Sequence, residues 1–153
     1  MKHNRYNICM CEMSGDLFRL SVKKGYGSKQ FIERLMNSET GRILYDNNSI
    51  DVWLGETFVM EDIENHLYPE KGETYSESFM YWAGYLFRCW GITYPEESAQ
   101  DMLRQAPVET LRKSYVGMHV LFFEDAIQNL KEIYELDREG SSLVESAETA
   151  EKS

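Results

Sequence analysis

Hydrophobic positions recur with helical spacing along most of the chain, and few segments alternate with the two-residue period of a strand. The clearest stretch is SESFMYWAGYLFRCWGI, residues 76–92, where Phe79, Trp82, Ala83, Leu86, Phe87 and Trp90 fall on one helix face. Met80, Tyr81, Tyr85 and Cys89 fill much of the other side, and Arg88 is the only charge after Glu77. A helix that is apolar almost all round must be enclosed by other elements. Residues 76–91 are therefore predicted to be the central pillar of an all-α domain. The segment is too short, and too rich in Tyr and Gly, for a good membrane span.

Before the pillar, a first helix is predicted over about 12–24, with Met13, Leu17 and Leu20 on one stripe and Gly25-Tyr26-Gly27 stopping it. Ser28 caps a second helix carrying Phe31, Ile32, Leu35 and Met36. Ser38 and Glu39 open a third, through Ile43 and Leu44. Asp46-Asn47-Asn48-Ser49 reads as a loop. Val59, Ile63 and Leu67 mark a fourth helix from near Glu56, and Tyr68-Pro69-Glu70-Lys71-Gly72 breaks it. Thr74 or Ser76 caps the pillar and Gly91 is placed to end it. Pro95 with Glu96 and Glu97 then reads as the start of a helix that must end before Pro107. A short helix with Val108, Leu111 and Tyr115 stops at Gly117, and a final one runs over about 123–136. The expectation is one domain of six to eight short helices over residues 1–136, with 1–11 loosely ordered. Residues 137–153 are acidic, Ser-rich and aromatic-free, and read as a disordered tail.

At 153 residues, 42% hydrophobic and 13% aromatic, the chain can bury a core without staples. Its formal charge of −10 works against nonspecific nucleic-acid binding. The charge is uneven: residues 1–34 carry seven Lys or Arg against three Asp or Glu, which leaves −14 on the remainder. Cys9, Cys11 and Cys89 are an odd set with spacing unsuited to a disulfide framework, and the start has no apolar run of signal-peptide length. A cytoplasmic protein is expected.

Chemistry-bearing residues are few. His66 lies near Glu61, Asp62 and Glu64, and the i, i+4 pair Asp62 and His66 has the spacing of two-ligand helical metal sites. The same pattern also suits a helix dipole, and two ligands do not make a site. Cys9-x-Cys11 with His3 is too tightly spaced for the usual zinc clip. Cys89 would need a histidine such as His119 brought to it to act as a nucleophile. Lys24-Gly25-Tyr26-Gly27-Ser28-Lys29 sets glycines and a lysine before a helix N-terminus, where a phosphate could sit, but without P-loop spacing. Residues 96–116 read helix, tight turn, helix, and Arg104, Arg112 and Lys113 could contact DNA phosphates, although the Ala106-Pro107 turn is short for a DNA-reading motif. No motif calls for a cofactor.

The aromatic side chains are numerous for so small a core. Tyr81 and Tyr85, one turn apart on the back of the pillar, are the first candidates for a partner-binding surface, and Trp53, Glu56 and Glu61 are further candidates. Residues 31–63 and 81–136 resemble a group of small uncharacterised bacterial proteins. The likeness is carried by Trp53-Leu54-Gly55-Glu56 and by the run from Tyr81 to Trp90. Members of that group are associated with toxin–antitoxin-like gene neighbourhoods, in the antitoxin or accessory position. The resemblance implies a protein-binding role and no catalytic residue. The leading expectation is a non-enzymatic module that binds another protein, a basic one by charge complementarity, and neutralises it. Self-association is a further expected partner class. A DNA-binding regulator using residues 96–116 is the alternative, and a small metal-dependent enzyme near His66 a third.

Overall fold

The computed structural model describes the backbone of residues 1–45 and 55–152, with side chains as far as Gly140. The described elements are eight helices and no strand: α1 (Arg5–Lys23), α2 (Ser28–Met36), α3 (Glu39–Leu44), α4 (Gly55–Leu67), α5 (Glu77–Thr93), α6 (Ala99–Gln105), α7 (Val108–Met118) and α8 (Phe123–Lys152). Ser76 caps α5 by accepting a hydrogen bond from the Phe79 amide, and the pillar lies where the pattern places it, packed by α1, α6, α7 and α8. Eleven of its side chains or glycines are buried, Arg88 among them. The fold is all-α.

The closest packing in the molecule is between α1 and α5. They run antiparallel: Lys23 lies 4.0 Å from Glu77, the Arg19 guanidinium sits 4.7 Å from the Tyr81 ring centre, and Ser14 meets Gly84. A methyl group on Gly84 would fall 2.4 Å from the Ser14 carbonyl oxygen, and one on Gly15 would fall 2.7 Å from the Tyr81 ring. Only glycine admits backbones so close. The Ser14 hydroxyl donates to the Gly84 carbonyl at 2.7 Å, which leaves its oxygen to accept from the Tyr45 hydroxyl at 2.9 Å. That link ties the end of α3 to the crossing. Arg88 adds a second tie, donating to the Leu44 carbonyl at 3.0 Å. Phe18 packs edge-on against Phe31 of α2 and tilted against Phe87, so one α1 side chain fills the space between α2 and α5.

Several boundaries differ from the sequence expectation. α1 starts at Arg5 rather than near Glu12, because Asn4 caps it by accepting from the Asn7 amide, and Met10 and Cys11 are buried. α5 continues through Gly91 to Thr93. Gly91 lies in the helix as a small packing residue, where a methyl group would meet the Tyr45 carbonyl oxygen at 3.1 Å. α6 starts not at Pro95 but after Ser98, which forms a reciprocal capping box with Asp101. α7 passes Gly117 and ends at Met118. α8 runs on to Lys152, through the segment expected to be a disordered tail. That segment contains no proline, and Arg138 pairs with Glu135 one turn back at 3.5 Å. The expected loop at Asp46–Ser49 and Trp53 lie outside the described residues.

Glycine-to-alanine variants separate the crossing from ordinary helix. Gly84→Ala is expected to lower the unfolding free energy by about 2–3 kcal/mol in urea titration, since backbone must move to admit the methyl group. Gly117→Ala has nothing within 4 Å of the new carbon and is expected to be neutral or stabilising by up to about 1 kcal/mol. Equal effects at the two positions would contradict the close crossing.

Candidate functional site

Tyr81 and Tyr85 do sit one turn apart, with ring centres 6.1 Å apart, but both are half-buried rather than presented. Tyr81 lies on Gly15 beneath Arg19, and Tyr85 stacks on Phe123 at 4.2 Å. Burial pushes both phenols up, Tyr85 to about 12. These rings cement α1 and α8 to α5. Glu56 shares a shallow depression with Asp16, Arg19 and Lys23, so it reaches the edge of the Tyr81 site, while Glu61 is exposed further along α4.

The basic residues of the α6–α7 pair are largely engaged within the molecule. Arg104 donates to Asp101 at 2.9 Å, and the carboxylate is held below its ordinary range chiefly by the Ser98 amide. The Arg112 guanidinium stacks 3.8 Å from the Tyr75 ring centre, clamping α7 to the chain just before α5. Lys113 is exposed.

On α4, the Nδ1 of His66 lies 2.8 Å from the Asp62 backbone oxygen and 3.2 Å from its carboxylate. The pair lines a groove of about 410 Å³ between α3 and α4 with Ile43, Phe58 and Leu67. Among the described residues no three His, Cys, Asp or Glu side chains converge on a metal position. Glu64 turns the other way. It takes Lys24 at 3.0 Å and the Tyr26 hydroxyl, which lowers its own carboxyl and pushes the phenol up to about 12. The glycine turn at 25–27 holds internal partners: the Gly27 amide donates to the Glu70 carbonyl and the Ser28 amide to the Glu73 carbonyl, each at 2.9 Å. Those two amides are committed to the backbone of 70–73 instead of a phosphate.

The thiols are likewise dispersed. Cys9 is exposed, Cys11 is buried against α5, and His3 pairs with Glu124 at 2.9 Å, so the apparent clip at the start is not assembled. Burial pushes Cys11 up to about 12 and Cys89 up to about 11. His119 is exposed and stacked on Tyr115 at 4.6 Å, while Cys89 is buried in the pillar.

The surface that the periodicity did not single out is the corner between α7 and α8. Val116 is 78% exposed, Val120 75%, Phe122 76% and Leu121 38%. The corner is held firmly: His119 closes α7 by donating its amide to the Tyr115 carbonyl, Leu121 bonds back to Met118, and Tyr115 packs edge-on against Phe79 and Trp82. Four large apolar side chains are thus exposed within seven residues at a corner whose backbone is fixed. Its charge also departs from the rest of the chain. Residues 110–123 contain Arg112 and Lys113 and no acid, and His3 joins the start of α8 to the basic residues 1–11, which carry Lys2 and Arg5 and no acid. The signal was present as ten consecutive uncharged residues, 114–123, spanning the end of one helix, the connection and the start of the next.

No protein-family model, curated protein or solved structure matches this chain.

Thiol reactivity checks how the cysteines are distributed. In the native protein, Cys9 is expected to react with a disulfide reagent at pH 8 at the rate of an exposed thiol, and Cys11 and Cys89 only after denaturation. Rapid modification of all three without denaturant would show that the α1–α5 interface opens.

Proposed function

We propose that this chain is a non-enzymatic protein-binding module that engages its partner through the α7–α8 corner. The observation that carries the reading is the exposure of Val116, Val120 and Phe122 on a corner fixed to the pillar through Tyr115. Rigid apolar side chains lose little conformational entropy on docking and bury much area, which is what a binding hot spot requires. Lys113 is exposed three residues before Val116, so a partner sheds least affinity if its rim at this contact is acidic or neutral. The −14 carried by residues 35–153 lies mostly elsewhere, and would steer a partner that is basic on its other faces. We further propose, from the resemblance read in the sequence of residues 31–63 and 81–136, that a co-encoded protein is the first partner to test, with neutralisation as the outcome.

Affinity capture from the native cell decides the matter. The tagged wild-type chain is expected to retain one other protein in stoichiometric amount. Phe122→Asp should reduce that amount at least tenfold while leaving the thermal midpoint within a few degrees, because Phe122 fills no core. Tyr81→Phe should leave capture unchanged. Equal capture by the wild type and Phe122→Asp would remove the corner from the interface.

A further inference from the structure

Residues 1–3 read Met-Lys-His, and a histidine third from a free amine puts four nitrogens within reach of one metal ion. They are the amine of Met1, the backbone amides of Lys2 and His3, and the Nδ1 of the His3 ring. Wrapped round an ion, they close two five-membered chelate rings and one six-membered ring, with the four donors in a plane. Cu(II) and Ni(II) favour such a square of nitrogens, whereas Zn(II) favours a tetrahedron.

The surroundings of these residues suit that use. They lie ahead of α1, which Asn4 caps, and among the described residues neither the Lys2 nor the His3 amide donates a hydrogen bond. A metal can therefore take both amides without breaking the helix. Met1 packs against the core, and its amine stands 3.9 Å from Glu124 Oε1. The Nε2 of the exposed His3 ring stands 2.9 Å from the same oxygen, so amine and ring are gathered at one point on α8. A carboxylate at Nε2 draws the ring proton to that nitrogen and leaves the Nδ1 lone pair for a metal, as outer carboxylates do for metal-bound histidines. The Asn7 side chain donates to the Lys2 carbonyl at 2.9 Å. That carbonyl shares a peptide bond with the His3 amide nitrogen and takes up much of the negative charge when the nitrogen loses its proton. A donor already in place there stabilises the deprotonated form.

We propose that Met1, Lys2 and His3 bind one Cu(II) or Ni(II) ion through the amine, the two deprotonated amides and the imidazole, with Glu124 as the outer partner of the ring. On binding, the ammonium proton and two amide protons pass to solvent, four metal–nitrogen bonds form and no oxidation state changes. Protons compete with the metal for these nitrogens, so affinity falls as pH falls. A free amine on Met1 is part of the proposal. The site does not depend on the reading of the α7–α8 corner.

Titration of the untagged full chain with Ni(II) near neutral pH, followed by visible absorption, tests it. A Cys9→Ser background removes the exposed thiol as a competing ligand. The expected result is the yellow, diamagnetic complex of square-planar Ni(II), saturating at one equivalent and unmoved by excess Zn(II). His3→Ala is expected to abolish that spectrum, and so is insertion of one glycine between Lys2 and His3, which keeps every side chain and spoils only the spacing. His66→Ala should leave it unchanged. Glu124→Gln keeps all four nitrogens and is expected to weaken binding about tenfold against a competing chelator. An octahedral spectrum, one that survives His3→Ala or the inserted glycine, or displacement by Zn(II) overturns the proposal. So does an N-terminal peptide of the native protein that begins ahead of Met1 or carries an acyl group on its amine. Unchanged affinity in Glu124→Gln overturns the role given to that carboxylate.

Discussion

The contact on which the rest of the structure depends is the backbone crossing of Gly15 and Gly84. The Ser14 backbone lies against Gly84, the Tyr81 ring lies on Gly15, and the Ser14 hydroxyl reaches the Gly84 carbonyl at 2.7 Å. Because the two helices touch along this line, the bulky faces of α5 must turn outward to either side. One side takes Phe18, Phe31 and Phe87 toward α2, and the other takes Phe79, Trp82 and Tyr115 toward α7. Tyr45, reached through Ser14, draws in the end of α3. A methyl group at either glycine would push apart the surfaces on which every other helix is laid.

The functional reading follows from what this arrangement fills and what it leaves. Tyr81 and Tyr85 lie along the α1–α5 seam, so their rings are used up in covering Gly15 and receiving Phe123. Arg112, which could have met a nucleic acid, spends its charge on the face of Tyr75. Glu64 and Lys24 neutralise each other beside Tyr26. Most groups with chemical potential are thus consumed in holding helices together. The α7–α8 corner contrasts with them: its apolar side chains are exposed, and the bonds that fix its backbone do not involve those side chains.

Much of the fold could be read from the sequence, because a helix with Phe79, Trp82, Leu86 and Trp90 on one face and Met80 and Cys89 on another has no stable place except the centre. The caps at Ser38 and Ser76 were equally readable, since a side-chain oxygen three residues ahead of an amide is a local matter. Gly91 and Pro95 misled for a physical reason. Glycine ends a helix when it supplies a left-handed turn, but it also continues one where a neighbouring carbonyl presses close, and only tertiary contact distinguishes the two. Pro95 could open a helix, yet Ser98 with Asp101 offers two reciprocal bonds and wins. The surface was less readable still. Periodicity locates a helix face but not whether a second layer covers it, so Tyr81 and Tyr85 could face core or partner until α1 and α8 were placed. The apolar run at 114–123 stood in plain view, but it reads as more core until α7 and α8 are seen to turn there.

The central claim is that this chain meets another protein at the α7–α8 corner. Site-specific photo-crosslinking in the native cell tests it most directly, with a photoreactive phenylalanine at position 122 and, for comparison, at position 58. Phe58 is also exposed and lines the groove between α3 and α4. The account expects a discrete adduct from position 122 and none from position 58. An adduct from position 58 with none from position 122 would place the interaction at the other groove and contradict it.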